Sequence, residues 1–136
     1  MQRYAFVSLV LCSLTGCADK AYQEVPVYPV EGRLTVAGAP AQGAYVAFHP
    51  TGDVGMTKGN KPFARVDREG NFRLTTYEQE DGAPAGNYRV SVFWPENPEA
   101  RGPSPDRLKG RYSESKSPLT VTIEPAPNAL PAWDLQ

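Results

Sequence analysis

Residues 88–94 read Tyr-Arg-Val-Ser-Val-Phe-Trp. Successive side chains of an extended strand point to opposite faces, so Tyr88, Val90, Val92 and Trp94 share one face and Arg89, Ser91 and Phe93 the other. A helix would scatter that set around its axis. The same period of two recurs along the chain. Val30, Gly32, Leu34 and Val36 alternate with Glu31, Arg33 and Thr35, and Leu119, Val121 and Ile123 alternate with Thr120 and Thr122. Val46 and Phe48 mark a further strand. Ala64 and Val66, then Phe72 and Leu74, are the arms of a hairpin, and Trp133 with Leu135 forms a short last strand. Residues 37–40 read as a turn and residues 51–61 as a loop. About seven short strands with no amphipathic helix predict an all-β chain folded as a β-sandwich.

Composition agrees with that reading. The chain has 136 residues, of which 40% are hydrophobic, enough for one domain with a core. Its 14 prolines and 12 glycines suit many strands joined by turns. The net charge is −1, with acids and bases interspersed. No basic stripe is present to follow a phosphate backbone, so no nucleic-acid partner is expected. Cys12 and Cys17 both lie near the N-terminus and cannot staple the domain that follows, and His49 is the single histidine.

The first residues read as an address. Arg3 precedes the apolar run 5–14, which is shorter than the roughly 20 residues a membrane-spanning helix needs. Leu14, Thr15, Gly16 and Cys17 then resemble the lipobox of bacterial lipoproteins. That resemblance implies a diacylglyceryl group on Cys17, cleavage just before it, and anchoring through two or more acyl chains. The alternative is ordinary secretion with cleavage after Ala18. The expected layout is a lipoprotein signal peptide over 1–16, a flexible tether over 17–28 and the sandwich over 29–136. The chain is expected to be exported and held at the bacterial cell membrane or outer membrane.

Three internal stretches carry local signals. Asp67 to Gly70 lies between hairpin arms, with Asp67, Glu69 and Asn71 alternating as at the start of a calcium loop. An EF-hand loop beginning at Asp67 needs glycine at its sixth position, where this chain has Phe72. A type I turn accounts for the letters better, with Asp67 at its first position and Gly70 at its fourth. Gly86 and Tyr88, at the start of an apolar strand, resemble the tyrosine corner of Greek-key sandwiches, the alternative being an ordinary core tyrosine. Residues 95–118 form a long Pro-rich loop with room for one helical turn near 106–109.

The mature segment as a whole resembles carboxypeptidase-regulatory-like domains. The stretch from Val30 to Pro50 has their Val-x-Gly strand and apolar-x-Phe-x-Pro ending, residues 64–76 their Asp-x-x-Gly-x-Phe hairpin, and residues 81–92 their Gly-x-Tyr-x-Val strand. The tail is similar to that of short bacterial lipoproteins carrying this domain, through Tyr112, Ser117-Pro118-Leu119, Asn128 and Asp134-Leu135. The resemblance implies a transthyretin-like (prealbumin-like), seven-stranded Greek-key β-sandwich and no particular activity.

Known chemistries of related folds do not carry over. The 5-hydroxyisourate hydrolase pattern uses several histidines and a C-terminal Tyr-Arg-Gly-Ser, and intradiol dioxygenases use two His and two Tyr. This chain has one histidine and ends Trp133-Asp134-Leu135-Gln136. His49 as a base would need a nucleophile or metal partner, and no serine lies in a recognisable nucleophile motif, so a structural or surface role is expected. Trp94 and Trp133 are expected to pack, and Tyr77 and Tyr112 are better placed for exposed contacts. The expected function is a non-enzymatic structural or binding module of the cell envelope, without metal or cofactor. Its partners would be the membrane through Cys17 and an envelope protein or glycan. The alternative is an envelope hydrolase of unrecognised type, such as one acting on glycans.

Overall fold

The structure, a computed structural model, describes residues 23–57 and 59–136. The expected leader and its lipobox residues Leu14, Thr15, Gly16 and Cys17 lie outside the described residues. The described residues form an all-β architecture of two sheets without a helix. Its strands are β1 (Val30–Val36), β2 (Ala39–Pro40), β3 (Tyr45–Pro50), β4 (Phe63–Arg65), β5 (Asn71–Arg73), β6 (Gly86–Phe93), β7 (Thr120–Ile123), β8 (Asn128–Ala129) and β9 (Trp133–Leu135).

One sheet is organised around β1. On one edge β1 pairs antiparallel with β5 and β2. On the other it pairs in parallel with β8 and β9, placing Leu34 opposite Trp133 and Val36 opposite Leu135. The second sheet runs β4-β3-β6-β7, antiparallel throughout, with Tyr45 opposite Phe93 and Phe48 opposite Val90.

The period-two pattern decides what lies between the sheets. Leu34 and Leu74 from the first, with Val46, Phe48, Tyr88, Val90 and Ile123 from the second, are almost fully buried. Phe48 is near the middle, with ring centroids 5.8 Å from Tyr88 and 6.4 Å from Trp133. Trp133 in turn stacks on Phe72 at 6.0 Å. Tilted and offset ring pairs of this kind add about 0.5–1.5 kcal/mol each beyond the area they bury.

At four places the structure adds detail to the sequence expectations. Residues 37–40 are not wholly a turn: Ala37 and Gly38, with φ of 48° and 81°, turn the chain and Ala39–Pro40 pairs back onto β1. That two-residue geometry with positive φ at both positions matches the twist of a hairpin. The strands number nine among the described residues because β2 and β8, each two residues long, are too short to show a period. Residues 23–28, expected within the flexible tether, are fastened to the domain: Tyr28 exchanges backbone hydrogen bonds with Ala83 at 2.9 and 3.0 Å, and Val25 N donates to the Tyr77 hydroxyl. Residues 106–113 make successive turns in place of the expected helical turn, tied by Lys109 N to Asp106 O and Arg111 N to Leu108 O.

The Pro-rich loop is held at both ends of its span. Asp106 accepts from the backbone N–H groups of Trp94, Leu108 and Gly110 at 2.9–3.0 Å. Leu108 is buried in the core, and Arg107 lies over the Trp94 ring at 4.6 Å. Trp94 Nε1 donates to Gln42 O. These bonds position the later part of the loop, including Tyr112 and Glu114, against the edge of the second sheet.

Candidate functional site

The outer face of the four-stranded sheet gathers side chains that the core does not use. Tyr45 and Phe93 are register partners on β3 and β6, and Phe63 on β4 faces Ala47 on β3. All three rings stand outward and are 44%, 44% and 51% exposed. Arg65, opposite Tyr45, places its guanidinium 5.7 Å from that ring. The same guanidinium donates to Pro98 O at 3.2 Å and lies 3.6 Å from Glu99, so it links the aromatic strip to the loop.

Further along this face β3 and β6 bring His49 and Ser91 together. Ser91 is the register partner of Ala47, and His49 is two residues farther along β3, which makes the pair diagonal neighbours. His49 Nε2 lies 2.7 Å from Ser91 Oγ. On the other side of the ring, His49 Nδ1 lies 3.3 Å from Glu114 Oε1, within ion-pair range but without the alignment of a hydrogen bond. Lys61 Nζ is 3.9 Å from the other Glu114 oxygen. Glu114 of the long loop lies against the ring, and this outward position is only 9% exposed, which breaks the alternation of β3. Ser91 remains half-buried.

Electrostatics set the state of this cluster. Desolvation pushes the His49 pKa below its ordinary value; Glu114 opposes that shift and Lys61 adds to it. The imidazole is therefore neutral at pH 7. A neutral ring carries one proton, and the nearby carboxylate favours its placement on Nδ1. Nε2 is then an acceptor, and Ser91 O–H donates to it. The arrangement orients a base beside a hydroxyl with a carboxylate behind the base.

No protein-family profile matches the chain, and no curated protein matches it either. Among solved structures, a DUF3823 family protein from Parabacteroides merdae is similar, at 14% identity and a TM-score of 0.46. The match covers 82% of this chain and 46% of that one, so this chain spans about half the length of that protein.

A second surface feature runs from the first sheet onto β4 of the second, where it reaches Phe63 and Arg65. A broad groove of about 730 Å³ runs past Glu31, Arg33, Arg73 and Glu80 to Arg65. Arg73 lies 3.8 Å from Glu31 and 3.7 Å from Glu80, and all three side chains are at least half exposed. Solvated pairs of this kind contribute about 0–1 kcal/mol.

The residues singled out in the sequence occupy separate places. Asp67 Oδ1 accepts from Glu69 N at 3.0 Å and Asn71 N at 2.8 Å, while Gly70 N donates to Asp67 O and Gly70 takes a φ of 88°. The Asp67 carboxylate thus holds the β4–β5 turn. Tyr88 is buried and its hydroxyl donates to Pro84 O at 2.7 Å. Burial raises its pKa far above the ordinary phenol value. Gly86, with φ of 146°, passes so close to Val54 that an added Cβ would stand 2.6 Å from it. Trp94, Trp133 and Tyr112 pack against the core. Cys17 is outside the described residues.

His49 differs from its sequence reading: it does have a nucleophile-type neighbour. Ser91 is 42 positions away and carries no motif, so the chain gave no local sign of the pairing. The available signal was the alternation itself. It placed Ser91 on the outward face of β6, but not the register that slides β3 beside it. Glu114 lies in the long loop, where no periodicity applies.

Proposed function

We propose that the chain is a bacterial lipoprotein, exported and anchored through Cys17, whose domain is a binding module of the cell envelope. In this reading the sandwich is of the seven-stranded, Greek-key, transthyretin-like and carboxypeptidase-regulatory-like kind, with β2 and β8 as short additions at its margin. The lipobox at 14–17 and the ordered series of strand motifs in the sequence support that assignment. The observation that carries the binding reading is the exposed strip of Phe63, Tyr45 and Phe93 on adjoining strands, with Arg65 over the central ring. Aromatic and arginine side chains on a rigid sheet supply large contact area at low entropic cost. An envelope protein or a glycan is the partner class.

Two measurements test the two halves of the proposal. The native chain is expected to partition into detergent and Cys17→Ala to remain in the aqueous phase; unchanged partitioning in that variant removes the anchor. A photo-crosslinking residue at position 93, on the strip, is expected to capture an envelope component that the same residue at position 126, exposed between β7 and β8, does not. Equal capture from both positions, or none from position 93, removes the binding face.

A further inference from the structure

The Ser91–His49–Glu114 cluster goes beyond a binding face. We propose that Ser91 is a nucleophile activated by His49 as general base, with Glu114 as the positioning carboxylate, and that this face carries acyl-transfer chemistry on carboxylic esters. The inference depends neither on the lipid anchor nor on an envelope partner.

Geometry is its foundation. The Oγ–Nε2 separation of 2.7 Å is within direct proton-transfer reach. His49 Nδ1 is buried and has no hydrogen-bond partner, and the group facing it is the Glu114 carboxylate at 3.3 Å. A small rotation of this exposed side chain would bring the carboxylate into line with an Nδ1–H. The two ring nitrogens thus have distinct tasks, one toward a hydroxyl and one toward a carboxylate. That division is the general signature of an activated hydroxyl, recognised by geometry and not by position in the chain. A serine whose only task was to satisfy a histidine would need no carboxylate behind the ring.

The surroundings define the substrate class. Ser91, Ala47 and Phe63 lie in one register row across β6, β3 and β4, and Phe93 lies two residues along β6. Ala47 is the smallest side chain in the row, so a flat apolar group can lie between Phe63 and Ser91. Esters with an aromatic or short apolar acyl group fit that place. Charged groups reach the ring from two sides. Glu114 faces it directly, Lys61 lies 3.9 Å from the Glu114 carboxylate, and Arg89, the register partner of His49, donates to Glu114 O at 3.5 Å.

The step balances with water as co-reactant. Ser91 Oγ bonds to the ester carbonyl carbon as its proton passes to His49 Nε2. The carbon–oxygen bond to the alcohol breaks, and the departing alkoxide takes that proton. Water then attacks the acyl-serine, again losing a proton to Nε2. The acid leaves, and that proton returns to Ser91 Oγ.

The nucleophile can be read directly, apart from turnover, because donors for the oxyanion are a separate requirement. The folded full chain is incubated with a fluorophosphonate, which forms an Oγ–P bond and expels fluoride, and the adduct is mapped by peptide mass. An adduct at Ser91 is expected, absent in Ser91→Ala and slowed about 100-fold in His49→Gln. Because His49 is buried and that variant can lose its fold, Glu114→Gln supplies a second arm on an exposed residue. It should slow labelling about 10-fold, less than a buried carboxylate would, and shift the midpoint of the pH–rate profile downward. Absence of an adduct at Ser91 in the folded wild type overturns the proposal. Labelling whose rate and pH profile are indifferent to Glu114→Gln overturns it equally.

Discussion

The ring of Phe72 lies directly over Gly32, its register partner across β1 and β5. A Cβ added at Gly32 would stand 2.4 Å from Phe72 Cζ, and the same ring stacks on Trp133. The glycine is required by that close approach, since a cross-strand aromatic fills the space its missing side chain leaves.

Gly32→Ala is therefore expected to destabilise the domain by about 1–3 kcal/mol, the cost of overpacking a filled site. Denaturant titration should show a lower midpoint at an unchanged slope. Replacing Phe72 by leucine in the same chain should recover part of the loss, because the clash lies with the ring. A Gly32→Ala midpoint equal to wild type would mean the ring moves away freely.

Tyr88→Phe tests the buried hydroxyl. The change leaves the ring in place but strands Pro84 O, a buried acceptor whose donor is the Tyr88 hydroxyl at 2.7 Å. The expected loss is about 1–3 kcal/mol. Thermal unfolding of the two proteins at one pH measures it.

Asp134 links stability to acid. Its Oδ1 accepts from Gly38 N and Thr35 Oγ, and these bonds, the backbone one foremost, hold its pKa below the ordinary 3.8. The folded state favours the carboxylate, so the stabilisation is present above the unfolded pKa and fades as pH falls through the folded one. The Tm difference between wild type and Asp134→Asn should therefore be widest near neutrality and close as pH drops below about 4. A difference that stays constant to low pH would show that the charge contributes nothing.

His49 predicts a second slope at milder pH. Burial lowers its pKa, so between its ordinary value of 6.5 and the folded value the unfolded chain binds more protons than the folded one. Stability should fall as pH decreases through that window, and the decrease should be smaller in His49→Gln. Tm measured at steps from neutral to mildly acidic pH checks this, and parallel curves for the two proteins would contradict it.

Sequence patterning carried the fold to differing depths. The β6 alternation was legible because Tyr88, Val90 and Val92 are buried against outward Arg89, Ser91 and Phe93, and burial on one face imposes a period of two. The Asp67–Gly70 turn was legible because its bonds span at most four residues. Pairing at a distance was not. β9 joins β1 across about a hundred residues, with Asp134 reaching Thr35, and nothing local marks that partner. The meeting of His49, Ser91 and Glu114 depends on strand register plus the path of a long loop, neither of which a single chain's periodicity contains.

The parallel seam between β1 and β9 has a kinetic meaning. A ribosome delivers Val30–Val36 about a hundred residues before Trp133–Leu135, yet each satisfies the other's backbone groups. Until β9 arrives, part of one edge of the first strand stays open and the Phe72 ring lacks the indole on which it stacks. Contacts of such long sequence separation slow folding, since the connecting chain must be closed before they return any energy. The seam therefore cannot close until about a hundred residues beyond β1 have been made, and up to that point the first sheet is held only from its β2 and β5 side.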